Sequence, residues 1–253
     1  MKKINYLLSF FVFVCTQGLF FHKGLSQLSP DPLKEKYRSA IQDAALVESD
    51  KIFDNLIQIT PDNRLIVWDE SQTKILVVTW KSQRNYEQYI KPNSNTSPFE
   101  DKVIWVTVAS QVKEFCNQYL KDHPQATEED LNLRLKQYLG LAPDWKYDLF
   151  VEMWVRPQDL FRPCVNPDIT TRQCPLNFEA AIPKVPGIRD YQLFYQNLYF
   201  KSIRQALQPW TGLGYTYDWG NSVNRVGASE FILVPGAAYK LNQAVPTMNY
   251  CRP

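Results

Sequence analysis

Two apolar runs, VIWVTVA at 103–109 and YDLFVEMWV at 147–155, constrain the fold of this chain more than any other feature. β-Branched and aromatic residues dominate both runs, and the first is apolar enough to be a central strand. Between the two runs, the segments 111–120 and 128–139 repeat apolar residues at helical spacing. The pattern predicts a sheet with helices packed against it.

The remaining periodic segments indicate the same fold class. A first helix is predicted from Pro32 to about Val47, because Asp31 precedes the proline as an N-cap. The other predicted elements are a hairpin over 64–80, a helix over 190–207 and a last strand over 229–234. We therefore expect one α+β domain, residues 27–253, with a mainly antiparallel sheet and three to four helices.

A long proline-rich segment separates the second apolar run from the last predicted helix. Residues 157–186 contain six prolines and two cysteines, Cys164 and Cys174. Cys116 and Cys251 complete an even set of four outside the leader, and four cysteines allow three connectivities. The spacing favours Cys164–Cys174, which closes the proline-rich loop, together with Cys116–Cys251, which ties the C-terminal tail to the body of the domain.

Residues 1–26 have the pattern of an export signal. Lys2 and Lys3 form a positive start, residues 4–21 are mostly apolar, and small residues precede Gln27. The alternative is an uncleaved membrane anchor at 4–21, because this run is nearly long enough to span a bilayer. We expect an exported protein, periplasmic or extracellular, with anchoring at the membrane as the alternative.

The charge pattern argues against nucleic-acid partners. The leader carries three of the 28 basic residues and no acid, so a chain that begins at Gln27 has 25 basic and 26 acidic residues. It contains no basic run, whereas binding to nucleic acid requires a patch that neutralises phosphates. A membrane is expected as a partner only through an uncleaved leader.

No catalytic or cofactor motif is present. The sequence lacks GxSxG, HExxH, GxxxxGK and CxxC, so no cofactor and no metal site is expected. His123 is the one histidine outside the leader, and it lies seven residues after Cys116. On a continuous helix that spacing separates the two residues by roughly 10 Å, too far for proton transfer. A structural or solvated His123 is the preferred interpretation.

Glu152 is the first candidate for acid chemistry. Strand alternation places it between Phe150 and Trp154 on one face of the 147–155 run. A glutamate buried between aromatic rings has a raised pKa, as a general acid requires. The alternative, which the sequence favours, is a structural ion pair with Arg156 or another cation.

The stretch QPWTGLGYTYDWGN at 208–221 is the densest aromatic segment. If it is extended, Tyr215, Tyr217 and Trp219 share one face and form an apolar platform with polar edges, preceded by Trp210. Such a platform suits a glycan or a protein surface. The preferred alternative is that these rings face a helix and belong to the core.

Asp218 and Glu230 complete the candidates. If the strands that carry them pair, the two carboxylates come near each other, and glycoside hydrolysis uses such a pair. The sequence therefore leads to an exported binding domain whose ligand is an envelope glycan or an envelope protein, with a carboxylate-dependent hydrolase of a glycan-like polymer as the alternative. A purely structural envelope subunit is a third possibility.

Overall fold

The structure, a computed structural model, describes residues 31–252. The predicted export signal, or anchor, at 1–26 lies outside the described residues. The helices that the structure describes are α1 (Pro32–Ala44), α2 (Gln83–Asn85, continued by a π-turn over Tyr86–Ile90), α3 (Ala109–Asp122), α4 (Glu128–Tyr138), α5 (Tyr191–Tyr199, continued by a π-helix over Phe200–Gln205) and α6 (Thr247–Cys251).

Seven strands form one antiparallel sheet. They are β1 (Ile75–Lys81), β2 (Ile104–Val108), β3 (Leu149–Val155), β4 (Leu160–Phe161), β5 (Tyr215–Tyr217), β6 (Val226–Leu233) and β7 (Tyr239–Pro246). The strand order is β4-β6-β2-β1-β3-β7, and β5 pairs with the first half of β6 beside β4. The predicted α+β class with a mainly antiparallel sheet is confirmed.

The four predicted helices correspond to α1, α3, α4 and α5. Asp31 caps α1, since its Oδ1 accepts the amide of Leu33 at 3.0 Å. A capping box begins α4, because Thr127 and Asp130 each accept the other's backbone amide. The two short helices α2 and α6 were not predicted, since neither is long enough to show a periodic apolar face.

The predicted hairpin over 64–80 is wrong in its first arm. Only β1 is a strand, and a single antiparallel bridge joins Trp68 to Ile75. From Val77 onward, β2 already occupies the edge of β1 that the first arm needs. The turn is present, and Asp69 Oδ1 closes it by accepting the amides of Thr73 and Lys74.

The strand predicted over 229–234 is β6, but it is not the last strand. β7 follows at the edge of the sheet, where it pairs with β3. After the buried Tyr239, its residues are half-buried or exposed, and it contains several polar side chains. An edge strand of this kind lacks the apolar run on which the prediction depended.

The sheet is covered on both faces. Val77 and Phe231 belong to a core cluster that includes α5 and residues of the 57–66 segment. Val78, the next residue on β1, belongs to a separate cluster with α3, α4 and α6. Since neighbouring strand residues point to opposite faces, each face of β1 has its own apolar layer.

Both predicted disulfides are present. Cys116–Cys251 joins α3 to α6 with Cα atoms 5.2 Å apart, and Cys164–Cys174 closes a loop within 157–186 with Cα atoms 6.2 Å apart. The rest of the proline-rich segment is irregular apart from a 3₁₀ turn and β4. Among residues 31–252, no helix combines the length and apolar character that a membrane crossing requires.

Candidate ligand cavity

A cavity of about 300 Å³ lies against the sheet face that carries Val78, Thr107 and Glu230. The segments 139–147 and 208–217 form its other walls. Seven aromatic side chains line it: Trp80, Trp105, Trp145, Tyr147, Phe150, Trp210 and Tyr217. A wall that combines aromatic side chains with placed polar groups is typical of pockets for small ligands.

Ring contacts hold these aromatic side chains in place. Trp80 is stacked between Tyr147 and Phe150, with centroids 4.7 and 5.3 Å from its own. On the other side of the cavity, Trp105 meets Trp210 edge to face at 6.4 Å. The walls are therefore packed surfaces with defined ring orientations.

Glu230 is the one carboxylate that lines the cavity within the described part of the chain. Its side chain comes from β6, and the residue is 5% exposed. The indole Nε1 of Trp210 donates to its Oε1 at 3.0 Å. Burial raises the pKa of Glu230 to about 8, whereas the bond from Trp210 and the charge of Arg162 lower it by less. The carboxyl group is therefore mainly protonated at neutral pH.

Arg162 places a buried positive charge behind this site. Its Nη2 donates to the carbonyl of Ile57 at 2.7 Å, and its guanidinium lies 4.6 Å from the ring centroid of Phe231. Burial lowers the pKa of Arg162 to about 10. The Arg162 guanidinium donates hydrogen bonds to backbone carbonyls in three segments of the chain, and these bonds hold the segments together.

Besides Glu230, six non-aromatic residues with polar side chains line the cavity, and they include Ser202 and Gln208. Thr79, Thr107 and Thr216 line the cavity together with the half-buried Lys81 at the end of β1. Burial lowers the pKa of the Lys81 ammonium. The Thr216 hydroxyl is already engaged, since it donates to the carbonyl of Tyr138 at 2.7 Å.

The structure divides the four predicted aromatic ligand-binding residues. Trp210 and Tyr217 line the cavity, although both residues are buried and Tyr217 also donates its hydroxyl to Asp43 at 2.8 Å. Tyr215 lines a second cavity of about 410 Å³ on the other side of Tyr217. Trp219 is 2% exposed and meets Tyr37 of α1 edge to face at 5.3 Å.

The sheet register separates Glu152 from Glu230, two of the three candidate acids. Glu152 pairs with Val78, Val78 with Thr107, and Thr107 with Glu230, so all four side chains lie in one row on one face. Three strand spacings of about 4.8 Å place Glu152 roughly 14 Å from Glu230. The carboxylate pairs of glycoside hydrolases lie within about 9.5 Å of each other.

Glu152 and Asp218 are held by other groups. Oε2 of Glu152 accepts from the amides of Asn242 and Gln243 at 2.7 and 2.8 Å, so the expected cation partner is replaced by amides. Arg156 pairs with Asp159 instead. Asp218 forms a bidentate pair with Arg134 of α4, at 2.9 and 2.7 Å.

Sequence reasoning missed most of the cavity. Trp80 and Trp105 lie on neighbouring strands that are apolar throughout, and only the pairing of Val78 with Thr107 places both rings on the cavity face. Trp145 and Tyr147 belong to an irregular segment after α4. No local pattern distinguishes such residues from ordinary core aromatics.

A third cavity, of about 270 Å³, adjoins the aromatic cavity at Trp105.

Over residues 31–252, no group of three or more histidine, cysteine or carboxylate side chains is arranged to hold a metal ion. No family model matches the chain at a significant level, and no curated protein and no solved structure does so either.

Proposed function

We propose that the protein is an exported binding domain that takes a sugar unit of an envelope glycan into the aromatic cavity. The observation that carries the proposal is the cavity wall, where seven aromatic rings surround about 300 Å³ and one buried acid supplies a polar group. Flat rings with polar edges suit a ligand that has apolar faces and a hydroxylated rim.

Glu230 is assigned the orienting role. At neutral pH its carboxyl group is protonated, because burial raises its pKa to about 8. Oε1 accepts from Trp210, which leaves Oε2 to bond a hydroxyl or ether oxygen of the sugar. A neutral acid forms such bonds without the cost of burying a charge.

Two features support export. The pattern of residues 1–26 is typical of a leader. The two disulfides are of the kind that persists in oxidising compartments and is rare in the cytosol.

A hydrolase of a glycan-like polymer is the second candidate, and one observation favours it. A carboxyl group with a pKa of about 8 stays protonated at neutral pH, as a general acid must. Binding has the stronger support, because Glu230 has no second carboxylate beside it on the described cavity wall.

The test measures retention and hydrolysis together. Oxidised protein from Gln27 to Pro253 is incubated with insoluble chitin, cellulose and peptidoglycan, and both bound protein and new reducing ends are measured. Trp145→Ala removes a half-buried cavity ring and is expected to lose retention. The control Tyr89→Ala removes a 60% exposed ring outside the cavity and is expected to keep it.

Glu230→Gln distinguishes the two candidates. A binding domain retains at least part of its affinity, because the amide keeps the hydrogen-bonding shape of the neutral acid, and releases no product in either form. Product release by the wild type that disappears in Glu230→Gln supports the hydrolase. The absence of both retention and product contradicts glycan recognition and favours a protein partner.

A further inference from the structure

The aromatic cavity borders the neighbouring 270 Å³ cavity. The two spaces share three lining residues, Trp105, Ser202 and Gln208, so these residues alone stand between them where the cavities meet. A backbone hydrogen bond of 2.8 Å from Gln208 to Ser202 holds two of these residues together at the junction.

The 270 Å³ cavity, like the aromatic cavity, combines apolar and polar lining residues. Its floor is apolar and is formed by Phe194 and Leu198 of α5 with the half-buried Trp105. Exposed polar side chains stand around that floor: Glu100, Asp101, Asn197 and Lys201. An apolar floor with donors and acceptors at the rim matches a ring that has one apolar face and hydroxyl groups at its edge.

We propose that this 270 Å³ cavity is a subsite for the next sugar unit of the same glycan chain. The inference rests on the proposed function. One unit occupies the aromatic cavity beside Glu230, the linkage crosses between Trp105 and the Ser202–Gln208 junction, and the adjoining unit lies over Phe194 with its hydroxyl groups on Asn197 and Lys201. The ligand is therefore a chain of at least two units.

The test follows affinity against chain length. Isothermal titration is performed at pH 7 with β-1,4-linked oligomers of glucose and of N-acetylglucosamine, from one to four units. We expect the disaccharide of one series to bind at least tenfold more tightly than its monosaccharide. In the double variant Asn197→Ala/Lys201→Ala, we expect the disaccharide to lose this gain while the monosaccharide affinity stays unchanged.

Two controls keep the outcomes distinct. Lys121→Ala removes an exposed lysine at the end of α3, outside both cavities, and is expected to leave every affinity unchanged. Equal thermal unfolding of all variants shows that the rim substitutions act on binding. A disaccharide that binds no more tightly than its monosaccharide, or a gain that survives in the double variant, overturns the subsite alone. The absence of binding by every oligomer overturns the proposed function and the subsite with it.

Discussion

The indole Nε1 of Trp210 donates to Oε1 of Glu230 at 3.0 Å, and this bond joins the 208–217 segment to β6. It satisfies the one indole donor and one of the two carboxyl oxygens of two buried side chains. The same contact also affects the pKa of Glu230. It stabilises the ionised carboxylate and so lowers this pKa, whereas burial raises it by more.

The first prediction concerns stability against pH. Burial raises the pKa of Glu230 from an ordinary value of 4.5 to about 8, so the folded protein binds an additional proton between these values. The contribution of Glu230 to the free energy of unfolding is therefore largest below about pH 4.5, and it falls as the pH rises towards 8. We expect a loss of about 1.4 kcal/mol for each unit of the pKa difference.

Urea unfolding between pH 4.5 and 8.5 checks this expectation. Glu230→Gln cannot lose a proton in this range, so its free energy of unfolding falls less steeply with pH than that of the wild type. Glu129→Gln, on an exposed position of α4, keeps the slope of the wild type. Parallel curves for the wild type and Glu230→Gln contradict the assignment.

The second prediction concerns Trp210→Phe. This variant keeps a ring in the wall but removes the donor to Glu230, so the pKa of Glu230 rises further. The titration of the Glu230 carboxyl carbon by NMR, in protein labelled at glutamate, measures the change. Trp145→Phe alters another cavity indole and leaves the pKa unchanged; equal shifts in both variants argue against the hydrogen bond as the cause.

The third prediction concerns the ion pair between Arg134 and Asp218. The Asp218 side chain is 3% exposed and that of Arg134 is 21% exposed, so Arg134→Met leaves a nearly buried carboxylate without its cation. We expect a loss of about 2–4 kcal/mol in the free energy of unfolding, because an uncompensated buried charge is costly. Arg38→Met breaks the exposed pair with Glu35 and is expected to cost less than about 0.5 kcal/mol. Similar losses in the two variants, measured in urea, refute this account.

The fourth prediction compares two glycines with positive φ. Gly214 has φ +79°, and a Cβ there would lie 2.6 Å from Cδ of Arg162 and 2.9 Å from Sγ of Cys174. Gly236 has φ +77°, with no atom within 4 Å of such a Cβ. Gly236→Ala is expected to cost about 1–2 kcal/mol from backbone strain alone. Gly214→Ala adds overpacking against a buried arginine and is expected to cost about 2–5 kcal/mol in total.

Thermal unfolding of the two alanine variants, side by side, measures this difference. Backbone strain is nearly the same at both positions, so the gap between the two unfolding temperatures reports the crowding against Arg162 and Cys174. Equal unfolding temperatures would show that Arg162 and Cys174 accommodate the added methyl group without cost.

The fifth prediction concerns the two disulfides. Cys116–Cys251 spans 135 residues of sequence and Cys164–Cys174 spans 10. On the loop-entropy model, removal of the first bond costs about 5 kcal/mol and removal of the second about 3 kcal/mol. The free energies of unfolding of the two double cysteine-to-alanine variants show which disulfide contributes more to stability. A larger loss at Cys164–Cys174 would show that its local contacts outweigh the entropy of the longer loop.

Much of the secondary structure could be predicted because its signals are local. Asp31 and Thr127 cap α1 and α4, and each helix then repeats apolar residues along its length. Caps and periodicity are both patterns among residues that are close along the chain. The prediction of the first hairpin arm was wrong for the opposite reason. The edge of β1 from Val77 onward is paired with β2, which is distant in sequence. β7 was missed because an exposed edge strand has no continuous apolar run.

The candidate site was predictable only in part. The aromatic stretch pointed to Trp210 and Tyr217, and Glu230 was named among three acids. The sequence favoured a cation as the partner of Glu152, and it did not single out Glu230 as the acid that lines the cavity. In the structure Glu152 is held by two amides and Asp218 by Arg134, whereas Glu230 has a cavity in front of it. Which acid receives which partner depends on strand register and helix packing.

The sequence by itself indicated the α+β class, the four longer helices and the favoured pairing of the cysteines, because periodicity, capping and the short spacing of Cys164 and Cys174 act between residues close along the chain. The tertiary structure alone decided that Val78, Thr107 and Glu230 share one row and that Trp80 and Trp105 face the space before it. A shift of one residue in that register would send these side chains to the opposite face. The register depends on contacts between distant segments, and no local pattern encodes it.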